Sequence, residues 1–184
     1  SLVSGYGLMA ANIIYTLISV PLALRYLSKT EFGLWALVTQ ITGYATLVDL
    51  GMSGAVSRTL VDHKDNRSTG VYGSIIQTSV LVGAVQCAAI SLVSLWLGYM
   101  SAGVLNVDAP LRNTFAHLVF IQGMLIGVGF VLRFPWLVCI AHQRYDVLNH
   151  TWTLQQVVNI GVLWAGFYLG NGIYSLLWAT AMAQ

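Results

Sequence analysis

The sequence predicts an all-α polytopic membrane protein, a helical bundle of about five full transmembrane helices and a truncated sixth. Three observations predict it. Of the 184 residues, 57% are hydrophobic and only 8% are charged, whereas soluble domains carry about 25% charged residues. The mean hydropathy is +0.75. The apolar residues also gather into runs near the length of about 20 that a helix needs to cross hydrocarbon. Together these disfavour soluble, disordered and nucleic-acid-binding classes. The formal charge of +2, without any Lys/Arg run, implies no nucleic-acid partner.

The whole chain, residues 1–184, is expected to form one transmembrane lobe, with spans at about 2–27, 33–56, 70–98, 114–141, 151–169 and 173–184. The first run is broken only by Asn12, hydroxyl side chains and the late Arg25. Pro21 removes a backbone donor there and predicts a bend, with Thr16 or Ser19 placed to bond a freed carbonyl. A five-residue polar turn, Ser28–Phe32, leads into the second run, where Phe32 and Trp35 suit an interfacial aromatic belt. Ser57–Thr69 is the most polar window, with Arg58, Lys64 and Arg67 beside Asp62 and Asp65. The third span closes on Trp96 and Tyr99. Met100–Asn113 is a second polar connection, with Asp108, Pro110 and Arg112. The fourth span contains Arg133 and Pro135, and a short turn, His142–Asn149, leads to the fifth. After Gly170-Asn171-Gly172 the sixth run is too short to cross. The chain does not begin with Met and ends inside an apolar run, so it is expected to be part of a longer protein.

With the N-terminus inside, Arg58, Lys64, Arg67, Arg144 and the deep Arg133 lie on the inner side, against Arg25, Lys29 and Arg112 outside; this charge bias orients the bundle. Small residues at helix-packing spacing, Gly123-xxx-Gly127 with Gly129 and Gly166-xxx-Gly170, predict close backbone approach. Cys87 and Cys139 read as small hydrophobes. There is no P-loop, no HExxH and no paired-cysteine site, so neither a cofactor nor enzymatic chemistry is expected.

Asp49 is the residue that most needs explaining. A carboxylate at mid-span costs roughly 2.5–3.5 kcal/mol on insertion scales. Arg58 is nine residues away, about 13 Å along a straight helix, so the two cannot pair locally. Asp49 therefore finds its partner on another helix or in water. One role is a proton or cation site, or the wall of a hydrated cavity. The other is a carboxylate packed at a helix break near Gly51, bonded to backbone or bridged to a structural Arg. Arg133 is the mirror case: at about 12 Å from its helix end it either snorkels to headgroups or faces a cavity and attracts an anionic phosphate. Asn12, Gln40, Gln77, Gln86, Gln122, Gln155, Gln156 and Asn159 are amides at membrane depth. Interhelical hydrogen bonds account for them singly; a cavity lined by several would suit a polyhydroxylated ligand. Gly51-Met52-Ser53-Gly54 has the GxSG form of an intramembrane serine protease. All four histidines follow it, and small residues for packing explain it better.

Glu31-Phe32-Gly33-Leu34-Trp35, Val48-Asp49-Leu50-Gly51 and Arg58, with the later turn Gln143-Arg144-Tyr145-Asp146, resemble the N-terminal part of Wzx-type polysaccharide flippases. These belong to the multidrug/oligosaccharidyl-lipid/polysaccharide exporter superfamily. Val48 stands where the family pattern has Leu. The resemblance implies a non-enzymatic transporter of the bacterial inner membrane, built from two six-helix lobes around a central cavity. It implies alternating-access export of a polyprenyl-diphosphate-linked oligosaccharide, driven by a coupling ion, proton or sodium, with membrane lipids as surroundings. Asp49 and Arg58 match the family pattern by position. Arg133, Gln122 and Asn12 join them as candidate substrate- or ion-binding residues from their depth. A drug or cation antiporter of the same superfamily is the alternative, and a membrane enzyme of glycan polymerisation or ligation is another.

Overall fold

The computed structural model describes residues 2–63, 70–104, 107 and 109–182. The described residues form α1 (Leu2–Tyr26), α2 (Lys29–Gly43), a 3₁₀ turn (Tyr44–Asp49), α3 (Met52–Asp62), α4 (Val71–Val104), α5 (Ala109–Leu132), α6 (Phe134–Ala141), α7 (Tyr145–Tyr168) and α8 (Tyr174–Ala181). No strand occurs among them, so the protein is all-α. Gly5–Tyr26, Val71–Met100 and Ala109–Leu132 are long and apolar enough to cross a membrane. The α4 helix, with 34 residues, spans about 51 Å and outruns the hydrocarbon layer of about 30 Å. Lys64, Asp65, Arg67 and Asp108, counted above in the polar connections, lie outside the described residues.

The chain divides into two compact units, residues 1–40 with 146–184, and residues 41–145. In the second unit, α4 and α5 pack along their lengths in opposite directions. A methyl group on Gly83 would sit 2.6 Å from the Phe130 carbonyl oxygen, one on Gly98 2.9 Å from that of Ala116, and one on Gly127 3.0 Å from Cys87 Sγ. Gly123 faces Ser94. The Gly123-xxx-Gly127 pattern is thus a helix-packing stripe, as small residues allow in lipid. Beside it, Leu60 of α3 and Leu137 and Ala141 of α6 form a buried cluster covered by Val56, Tyr72, Ile75, Ile76, Trp136 and Val138.

In the first unit, Tyr26 stacks on Phe167 with centroids 5.3 Å apart. Gly166 lies against Ser175, where an added methyl would meet Cβ at 2.9 Å. Gly170 does not continue that stripe. It has φ +76° and ends α7: its N–H donates to the Phe167 carbonyl at 3.1 Å and that of Asn171 to the Gly166 carbonyl at 3.1 Å, a left-handed stop that favours glycine.

Several expected elements take a different form. The expected turn Ser28–Phe32 is mostly the first turn of α2. Ser28 Oγ accepts from the Glu31 N–H at 3.2 Å, and the Glu31 carboxylate accepts from the Ser28 N–H at 2.9 Å. This is a capping box, which satisfies donors that a helix start leaves open. Trp35, expected in an interfacial belt, is buried at 8% exposure. The expected span 33–56 is not one helix. It stops at Gly43, tightens into the 3₁₀ turn, and reverses at Leu50 and Gly51, whose φ values are +45° and +81°. The expected span 114–141 starts earlier, at Ala109, and breaks at Arg133. Pro135 lies in the first turn of α6, where its missing N–H is tolerated. Pro21 leaves α1 helical to Tyr26. Thr16 donates to the Asn12 carbonyl at 3.0 Å, not to the carbonyl that Pro21 frees.

Candidate functional site

The two helix breaks of the second unit converge on one polar network. Asp49 ends the 3₁₀ turn, and the left-handed Leu50-Gly51 step aims its carboxylate at the start of α3. It accepts from the Ser53 N–H at 3.3 Å and from Ser53 Oγ at 3.0 Å. A negative group here satisfies an open donor and complements the positive end of the helix dipole. Arg133, at the junction of α5 and α6, forms an ion pair with Asp49 through Nη1. The same Nη1 donates to Ser53 Oγ at 2.8 Å, and Nη2 donates to Gln86 Oε1 at 2.9 Å. Gln86, on α4, in turn donates through Nε2 to the Val48 carbonyl at 3.1 Å.

The network is largely shielded: the Arg133 side chain is 11% exposed and that of Asp49 24%, with Gln86 at 6%. Phe130 lies under the guanidinium, with Cζ 4.8 Å from its ring centroid, a favourable cation–π placement. Arg133 Nε is buried and has no hydrogen-bond partner among the described residues. Arg133 therefore does not snorkel. It faces Asp49, 84 residues earlier, and the two opposite charges cancel inside the bundle. Ser53 of the GxSG motif is held by a carboxylate and a guanidinium rather than by an imidazole, the contact a serine nucleophile requires.

A second polar grouping belongs to the first unit. Leu8, Asn12 and Tyr15 of α1, Trp152, Gln155, Gln156 and Asn159 of α7, and Thr180 of α8 line a cavity of about 410 Å³. Spacings of three and four residues put each set on one helix face. The Asn12 side-chain oxygen accepts from Gln156 Nε2. Asn159 is 5% exposed and its Oδ1 has no hydrogen-bond partner among the described residues.

Of the residues singled out in the sequence, Asp49 and Arg133 come together, and Asn12 joins the cavity. Arg58 is exposed on α3 and outside the network. Gln122 is buried in α5 at 5% exposure and lines neither grouping. Ser53, Tyr15, Trp152 and Thr180 were not anticipated as site residues. The 152/155/156/159 and 8/12/15 spacings are the signals that expose the cavity, because both follow the helical period.

No curated protein and no solved structure matches the chain. The family model described as polysaccharide biosynthesis protein matches residues 2–184. With apolar helices of membrane length and polar groups held among them, the chain belongs to the polysaccharide biosynthesis protein family.

Proposed function

We propose that the chain is part of a Wzx-type flippase that moves polyprenyl-diphosphate-linked oligosaccharide across the bacterial inner membrane by alternating access. The family match over residues 2–184 carries this reading. Polysaccharide building blocks are made on one side of a membrane and used on the other, and a bundle of apolar helices suits a carrier. Family and helices alike favour a transporter-like protein over an enzyme.

The network supports a role for Arg133 toward the diphosphate. Its guanidinium binds a carboxylate in a sheltered setting, and a phosphate likewise offers paired acceptor oxygens to a guanidinium, with more charge. In this reading Asp49 holds Arg133 while no lipid is bound, and an arriving diphosphate competes for it. The breaks at Leu50-Gly51 and Arg133 are where the helices can pivot as the pair parts.

Equilibrium binding of a sugar-free polyprenyl diphosphate to the whole chain in nanodiscs tests this. Asp49→Asn frees the guanidinium and is expected to tighten binding, whereas Arg133→Leu is expected to weaken it at least tenfold. Binding unchanged by either substitution, with the variants folded, would remove Arg133 from substrate recognition.

A further inference from the structure

We infer that the cavity of the first unit is a binding site for an uncharged sugar ring, distinct in chemistry from the Asp49–Arg133 network. This rests on the flippase reading only for the source of the sugar, not for the site itself. Among the described residues, none that lines the cavity is charged: the polar groups are the amides of Asn12, Gln155, Gln156 and Asn159 and the hydroxyls of Tyr15 and Thr180. A charge-free lining gives no counter-ion for a phosphate or an organic cation. Amides carry both donors and acceptors, which is the pattern needed by hydroxyls that also do both. Tyr15 and Trp152 add aromatic surfaces of the kind that cover the apolar face of a sugar ring.

Size points the same way. At about 410 Å³, the cavity falls in the range of roughly 300–1,000 Å³ typical of small-molecule sites. It far exceeds the space a single desolvated ion fills. Asn159 lines the cavity and is itself 5% exposed, so one of the lining amides is held in place by its surroundings. Gln156 is already oriented by its bond to Asn12, so part of the lining is set before a ligand arrives.

The test is equilibrium binding of a radiolabelled neutral disaccharide panel to the whole chain in nanodiscs. At least one disaccharide is expected to bind saturably. Gln156→Leu, which keeps the side chain's size, and Trp152→Leu, which removes the aromatic face, are each expected to weaken it at least tenfold, and Gly161→Ala, where an added methyl meets nothing within 4 Å, to leave it unchanged. The same disaccharide on a polyprenyl diphosphate is expected to compete with the free form, and the sugar-free diphosphate lipid is not. No saturable saccharide binding by the folded chain would overturn the assignment. So would binding insensitive to both cavity variants, or competition by the sugar-free lipid. Because no transport is read, sugar binding without glycan-lipid movement would sink the flippase reading and leave this site standing.

Discussion

Asp49 and Arg133 each carry a charge that hydrocarbon would reject, and each makes the other tolerable. Asp49 also accepts from Ser53, and Arg133 also donates to Gln86, so neither is held by Coulomb attraction alone. In such sheltered pairs the loss of one partner leaves an uncompensated charge, which costs about 3–5 kcal/mol. Arg133→Leu is therefore expected to lower stability by about 3 kcal/mol. The double variant Asp49→Asn/Arg133→Leu is expected to be less destabilised than the sum of the singles. A double-mutant cycle on detergent-solubilised protein measures this, and additive losses would mean that the pair is not coupled. That Asp49 needs a partner on another helix was legible from its depth and its nine-residue distance from Arg58. The partner's identity was not. A side chain 84 positions away along the chain leaves no local spacing to read, and only folding brings the two breaks together.

At the scale of elements, the stretch carrying the family resemblance proves to be built of structural devices. Glu31 closes the capping box of α2, Leu34 and Trp35 are buried, and Leu50-Gly51 reverses the backbone before α3. The Ser28-x-x-Glu31 signature was present in the sequence, but in a run of polar residues it reads equally as a turn. The break after Gly43 had weaker signals: apolar content continues from Gly33 to Val56, and hydropathy does not register a change from α to 3₁₀ winding. Glycine placement, by contrast, was informative about packing. Gly83→Ala would push a methyl to 2.6 Å from the Phe130 carbonyl oxygen and is expected to destabilise by about 1–3 kcal/mol. Gly161→Ala meets nothing within 4 Å and is expected to be neutral or stabilising by up to about 1 kcal/mol. Thermal unfolding of the two variants side by side checks the contrast, and equal losses would contradict the packing described for α4 and α5.

For the molecule as a whole, composition with the length of the apolar runs was enough for a helical membrane protein, since 8% charge cannot cover a soluble surface and runs of about 20 apolar residues suit spanning helices. The polar interior was only half visible. Amides could be listed from the sequence, yet their sorting into a charged network in one unit and a charge-free cavity in the other depends on which helix faces meet. The flippase account proposed above is testable directly. The decisive measurement is movement of a fluorescent polyprenyl-diphosphate oligosaccharide between leaflets of vesicles containing the whole chain, read by its protection from an external glycosidase, beside efflux of a cationic dye. The account predicts that the protected glycan lipid becomes accessible while the dye stays in place. Dye efflux with the glycan lipid still protected would contradict it.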